Sequence, residues 1–135
     1  MKKLMPQVRL VVLLSLWPLA IAPSSAQHMN EPDSPCTKVV VTSDLVDCLS
    51  KARVLSHAEL NSLYQKIRNR LDPSDAERLT VAQRLWIQYR DANCSAERSL
   101  YEFGTASSPA YLACLESMIR ARTKELRVTY TVRLK

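Results

Sequence analysis

Downstream of residue 42 the apolar positions recur every three or four residues, in three runs separated by two turn signals. The first run sets Leu45, Cys48, Leu49, Ala52, Leu60, Leu63, Tyr64, Ile67 and Leu71 on one helical face. Thr42 or Ser43 is suited to cap it, and Asp44 and Asp47 favour the positive end of its dipole. Ser56-His57-Ala58-Glu59 interrupts the stripe, and Ser56 is placed to cap a restart after a kink. Asp72-Pro73-Ser74-Asp75 closes this helix and opens the next, because proline fits a first helical turn.

The second run extends from about Asp75 to Tyr101, with Leu79, Ala82, Leu85, Trp86, Tyr89, Asn93, Ala96 and Leu100 expected inward. Gly104, the only glycine, is expected as its left-handed C-cap. A third helix opens at Ser107 or Ser108, with Pro109 in its first turn, and presents Leu112, Leu115, Met118, Ile119, Arg122 and Leu126. The alternation in Thr129-Tyr130-Thr131-Val132 suits frayed chain or a short strand. Asn30 to Pro35 reads as an extended or mobile leader, and Lys38 to Thr42 is β-branched and ambiguous. Two short connections make antiparallel neighbours, so the expected fold is all-α, a three-helix up-down-up antiparallel bundle.

The first 26 residues stand apart. Lys2, Lys3 and Arg9 precede a 13-residue apolar run from Leu10 to Ala22, and Ser24 and Ala26 are small residues at the −3 and −1 positions. That is the layout of a cleaved secretory signal, too short for the ~20 residues that span a bilayer. The expected organisation is a signal at 1–26, a leader at 27–42, a helical domain at 43–128 and a tail at 129–135, with no stable membrane anchor after cleavage. The chain is accordingly expected in the periplasm or secreted.

Export decides what four cysteines mean. An even set, Cys36, Cys48, Cys94 and Cys114, in an oxidising compartment points to two disulfides stapling the bundle. A metal site would want paired C-x-x-C spacing, and neither His28 nor His57 lies near a cysteine in sequence, so no metal or cofactor is expected. Counting outward from the two turns brings Cys48, Cys94 and Cys114 level at one end, with Cys36 on the leader to join them. This counting leaves three pairings open; the favoured one is Cys94–Cys114 with Cys36–Cys48.

Removing the signal leaves sixteen basic against thirteen acidic residues, lowering the net charge from +6 to +3. The basic positions Lys66, Arg68, Arg70 and Arg120, Arg122, Lys124, Arg127 fan around their helices, and no surface aromatics interleave with them, which argues against nucleic acid. Catalysis lacks its parts. His57 has Ser56 and Glu59 nearby, but no nucleophile elbow, phosphate loop or H-E-x-x-H occurs, and Asp91 and Glu97 face different sides of their helix. Trp86 and Arg90 are favoured interface residues, but in so small a core the better reading is Trp86 inside with Arg90 laid over it or paired to a carboxylate. Tyr64 and Tyr89 read as residues at the core edge. The chain is expected to bind rather than catalyse.

The order of Cys36, Cys48-Leu49, Leu60-Asn61-x-x-Tyr64, Gln83-x-x-Trp86-x-x-x-Arg90-Asp91-x-x-Cys94, Gly104, then Cys114-Leu115 with Arg122 and Leu126 resembles the LprI-type lysozyme-inhibitor family. The resemblance covers about Cys36 to Arg127. It departs at His57, where an acidic residue is expected, and in a loop that keeps a single glycine. It implies a small exported helical domain with paired cysteines that, in some members, inhibits lysozyme. Lysozymes are usually cationic, so an acidic surface would speed encounter. Asp44, Asp47, Asp91, Glu97 and Glu102 gather toward the cysteine end and are the candidate partner-binding residues, with Glu31 and Asp33 nearby. The alternative is an envelope module that binds an anionic cell-wall or outer-membrane component through the helix carrying Arg120, Lys124 and Arg127.

Overall fold

The apolar stripes condense as three long helices: α1 (Thr42–Arg68), α2 (Pro73–Ser99) and α3 (Ser107–Thr129). A single helical turn, α4 (Thr131–Leu134), follows, and a 3₁₀ turn at His28–Asn30 precedes them. The computed structural model describes residues 28–102 and 104–135, so the expected signal at 1–26 lies outside the described residues.

The helices are unequal. Ten α3 residues are buried, from Pro109 to Leu126, against three in α2, Leu79, Gln83 and Cys94. α3 is therefore the central helix, with α1 and α2 laid along it. Tyr64 of α1 and Thr80 of α2 share a hydroxyl hydrogen bond of 3.0 Å across the gap between the flanking helices. At the turn end, Leu60, Leu63, Ile67, Leu79, Ile119 and Leu126 form the apolar core, edged by Tyr64, Leu71, Trp86 and Tyr130. At the opposite end the core thins to Ala110 and Ala113, and there the cysteines take over.

The disulfides join Cys36 to Cys48 and Cys94 to Cys114, with Cα separations of 6.0 and 5.5 Å. Cys94 and Cys114 are wholly buried against Leu115, Tyr111 and Met118. Cys36 packs with Leu49 and Ala113. Disulfides in this number suit an oxidising compartment. No helix among the described residues is long and apolar enough to cross a membrane.

Several expectations fail for definable reasons. α1 runs unbroken through Ser56, whose hydroxyl instead donates 2.9 Å to Glu116 Oε1 on α3. Its N-cap is Val41, without a side-chain capping bond, rather than Thr42 or Ser43. Gly104 does not occupy the left-handed region; α2 ends in right-handed geometry at Leu100 and passes through successive tight turns instead. The Thr129–Val132 segment is helical, not a strand, because Tyr130 and Leu134 pack back onto the core. The Asp72 signal works as the sequence implies. Its carboxylate accepts from the Ser74 and Asp75 amides at 3.0 Å, with Pro73 beside it.

The largest correction concerns α2. Ala82, Leu85, Tyr89, Ala96 and Leu100 face solvent, while Gln83, Trp86, Arg90, Cys94 and Glu97 face inward or lie half-buried. At 100° per residue, Leu85 and Cys94 lie half a turn apart. A disulfide from Cys94 into α3 therefore turns Leu85 outward.

Replacing Cys94 and Cys114 together by serine is expected to cost about 2–4 kcal/mol in chemical denaturation, the range for a loop of this size. Far-UV circular dichroism at low temperature should keep its helical signal, because the turn-end core does not involve these residues. A double variant as stable as the parent would show that the staple contributes little.

Candidate functional site at the cysteine end

The cysteine end is held by a polar cluster centred on Glu116 of α3, which is 1% exposed. A carboxylate so deep needs partners to offset its lost hydration. It accepts from Ser56 of α1 and from Arg120 Nε, one α3 turn on, at 2.9 Å. The same guanidinium reaches the leader, donating from Nη1 to Asp33 Oδ2 at 2.7 Å and from Nη2 to Glu31 Oε2 at 3.2 Å. Ser117 donates to both Glu31 oxygens at 2.7 and 2.8 Å. Burial works against the Arg120 charge, but Glu116 and Asp33 outweigh it and hold the guanidinium above its ordinary pKa.

The leader, expected as extended or mobile, is instead a run of turns tied to the bundle. His28 pairs with Glu97 of α2 and lies 3.7 Å from Glu31, Ser34 is buried, and Cys36 is bonded to α1. His28, Glu97 and Cys114 place donor atoms within 4.8 Å of one another, but the Cys114 sulfur is spent in a disulfide and is no thiolate ligand.

Next to this clasp, the motif residues on α2 and α3 stack. Two guanidiniums lie over the Trp86 ring, Arg90 at 5.3 Å and Arg122 at 5.8 Å from its centroid. Arg90 also donates to Asp91 Oδ1 at 2.6 and 2.8 Å. Buried Arg122 donates to Gln83 Oε1 at 3.1 Å and pairs with Glu125 at 2.8 Å. Gln83 and Trp86 with Arg122 thus join α2 to α3, while Arg90 covers Trp86 from α2 itself. Leu60, Leu115 and Leu126 are core, Tyr64 bridges to Thr80, Asn61 donates to exposed His57, and Gly104 lies in the exposed α2–α3 turn. Sequence reasoning missed Glu116, Ser56 and Ser117. Glu116 sits two residues after Cys114 and four before Arg120, a spacing that marks a helical ion pair, but nothing local signals its depth.

The acidic candidates divide. Glu97 is half-buried against His28, and Asp91 is engaged by Arg90. Asp44, Asp47 and Glu102 are exposed and have no ion-pair partner among the described residues. The basic face proposed for an anionic envelope polymer is largely engaged. Arg120 meets three carboxylates, Arg122 is inside, and Arg127 reaches Glu59 at 2.7 Å. Lys124 alone of that run remains exposed and unpaired among the described residues.

Acid should loosen the leader first. Hydrogen bonding from Arg120, then its charge, holds the Asp33 carboxyl below its ordinary 3.8. A depressed carboxylate stabilises the fold fully above the unfolded value and loses that contribution as pH falls through the lower folded one. Amide exchange of residues 31–36 is therefore expected to accelerate below about pH 3.8, before the core opens, and Asp33→Asn should speed it at neutral pH. Exchange in the leader that stays flat until global unfolding would contradict this. A second check lies in the buried acid: Glu116→Ala should destabilise by about 1–3 kcal/mol, measured by denaturant titration, because Arg120 and Ser56 lose a buried acceptor.

With this geometry established, comparison with known proteins is informative. A family model described as "Lysozyme inhibitor LprI" matches residues 34–126, from the buried start of the leader to the last core leucine of α3. An uncharacterized protein of Rhizobium meliloti (strain 1021) is 31% identical, over 84% of this chain and 89% of its own length. No solved structure gives a significant match. The match takes in both disulfides, Trp86 with Arg90 and Arg122, and Glu116 with Ser56 and Arg120, and the chain belongs to the LprI lysozyme-inhibitor family.

Proposed function

We propose that this protein is exported to the periplasm or secreted, and that it blocks a peptidoglycan-cleaving lysozyme by protein–protein contact rather than by catalysis. The family match carries the reading. Support comes from the physical character of the chain. The charged groups of the Glu116 cluster and of the α2–α3 contact are engaged in structural pairs, and His57, the histidine outside the leader, is exposed, with Asn61 as its hydrogen-bond partner among the described residues. The domain is cross-linked and clasped, so little order would be lost on docking.

The contact surface we assign is the cysteine end. There Asp44 and Asp47 at the start of α1, and Glu102 beyond α2, stand exposed with no ion-pair partner among the described residues, and Val40, 92% exposed, projects just before α1. Three exposed carboxylates and an apolar projection give a cationic enzyme both a steering field and something to bury. A net charge of +3 for the exported portion opposes long-range attraction, so encounter depends on this local patch and weakens with salt.

The test is to add the purified, disulfide-bonded protein to lysozymes of several types and follow lysis of cell walls. Slowed lysis with a detectable complex at micromolar concentration is expected. The combined Asp44→Asn, Asp47→Asn and Glu102→Gln variant should associate roughly tenfold more slowly at low salt and lose most of its salt dependence. Unchanged lysis without a complex would refute inhibition. An unchanged association rate in the variant would refute the surface but not the activity.

A further inference from the structure

The outward face of α2 carries an apolar stripe that the bundle leaves bare. Val81 is 44% exposed, Leu85 59%, Tyr89 61% and Leu100 78%, and Ala82, Ala92 and Ala96 are exposed between them. Ala82, Leu85, Tyr89, Ala92, Ala96 and Ser99 alternate spacings of three and four, the repeat of a helix-pairing seam. The seam from Val81 to Leu100 is about 28 Å long. Contiguous exposed apolar surface of this kind marks an interaction site.

The seam fits itself. In the middle of the seam, between Leu85 and Ala96, bulk lies in the first half, Leu85 and Tyr89, and small side chains in the second, Ala92 and Ala96. Two copies of α2 placed antiparallel about a two-fold axis passing between residues 90 and 91 bring Leu85 onto Ala96, Tyr89 onto Ala92 and Val81 onto Leu100. Leu85 and Tyr89 then each meet an alanine, and Val81 meets Leu100 at the two ends of the seam. A parallel pair would set Leu85 on Leu85 and leave a gap at the alanines. Charge agrees with the same placement. The edge of the seam carries neutral Gln88, Ser95 and Ser99, so no like charges oppose each other, while Arg78 at one end falls near Glu102 at the other. Alanines at the crossing let the helix axes approach toward the low end of the 8–10 Å range.

We propose that the protein forms a two-fold symmetric dimer through the antiparallel pairing of α2 along Leu85, Tyr89, Ala92 and Ala96. The buried faces of α2, which bond to α3, take no part. The interface is isologous and closes on itself, so assembly stops at two copies. It leaves Asp44 and Asp47 of each copy free, on a different helix, and so extends the proposed function without depending on it.

Sedimentation equilibrium of the disulfide-bonded protein, across micromolar to several hundred micromolar, tests the pairing. A concentration-dependent dimer is expected. Leu85→Lys and Ala96→Glu should each weaken it at least a hundredfold, because each buries an unanswered charge, with circular dichroism unchanged. The Leu85→Lys/Ala96→Glu double variant should recover the dimer, because antiparallel register sets the lysine against the glutamate. In parallel register like charges would meet. A parent that stays monomeric throughout, a dimer indifferent to Leu85→Lys, or a double variant that stays monomeric would each overturn the proposal. A monomeric parent whose lysozyme inhibition is lost with Leu85→Lys would overturn it too, and would give the stripe to the enzyme.

Discussion

A carboxylate with 1% of its surface in contact with solvent, Glu116, organises the cysteine end of this molecule. Buried this deeply, it must be met by donors, and the two that meet it come from α1 and from the next turn of its own helix. Because Arg120 has nitrogens left over, it carries the link outward to Glu31 and Asp33 on the leader. One buried charge thus fixes the relation of three segments. It also explains how a proline-rich stretch without long regular structure is ordered. The leader is tied at His28, Glu31, Asp33 and Cys36, each to a different group on the bundle.

The two ends of the bundle solve the same problem by different chemistry. At the turn end, leucines and isoleucines from all three helices fill the interior, and transfer of apolar surface from water is sufficient to hold them. At the other end α3 narrows to alanines, and little apolar volume is available. Covalent bonds and ion pairs replace it. A domain near one hundred residues has a limited core, so cross-links at the thin end stabilise it where hydrophobic burial is least.

This economy bears on how such a protein can act. Many of its charged groups are answered within the chain, and half-buried Trp86 is covered by the guanidiniums of Arg90 and Arg122 instead of being offered to a partner. Gln83, Trp86 and Arg122 are therefore chiefly a clamp between α2 and α3. The exposed acids at the cysteine end and the bare stripe of α2 lie outside that clamp.

Sequence alone determined the elements and their order. Helical period, the Asp72-Pro73 junction and the spacing of the cysteines are local properties, and they yield three helices in antiparallel succession with the cysteines at one end. The inward faces of α1 and α3 were legible for the same reason, since each carries one apolar stripe. α2 carries two. Ala82, Leu85, Tyr89 and Ala96 make one, while Gln83, Trp86, Arg90 and Cys94 make the other, and hydropathy favours the first. Only the tertiary structure chose between them, because the choice rests on what α3 offers in return: a cysteine for Cys94, and an arginine for Gln83 and Trp86. The depth of Glu116 and the ordering of the leader were hidden for a related reason. Burial of a charge depends on partners up to 89 residues away, and no local pattern records a distant partner.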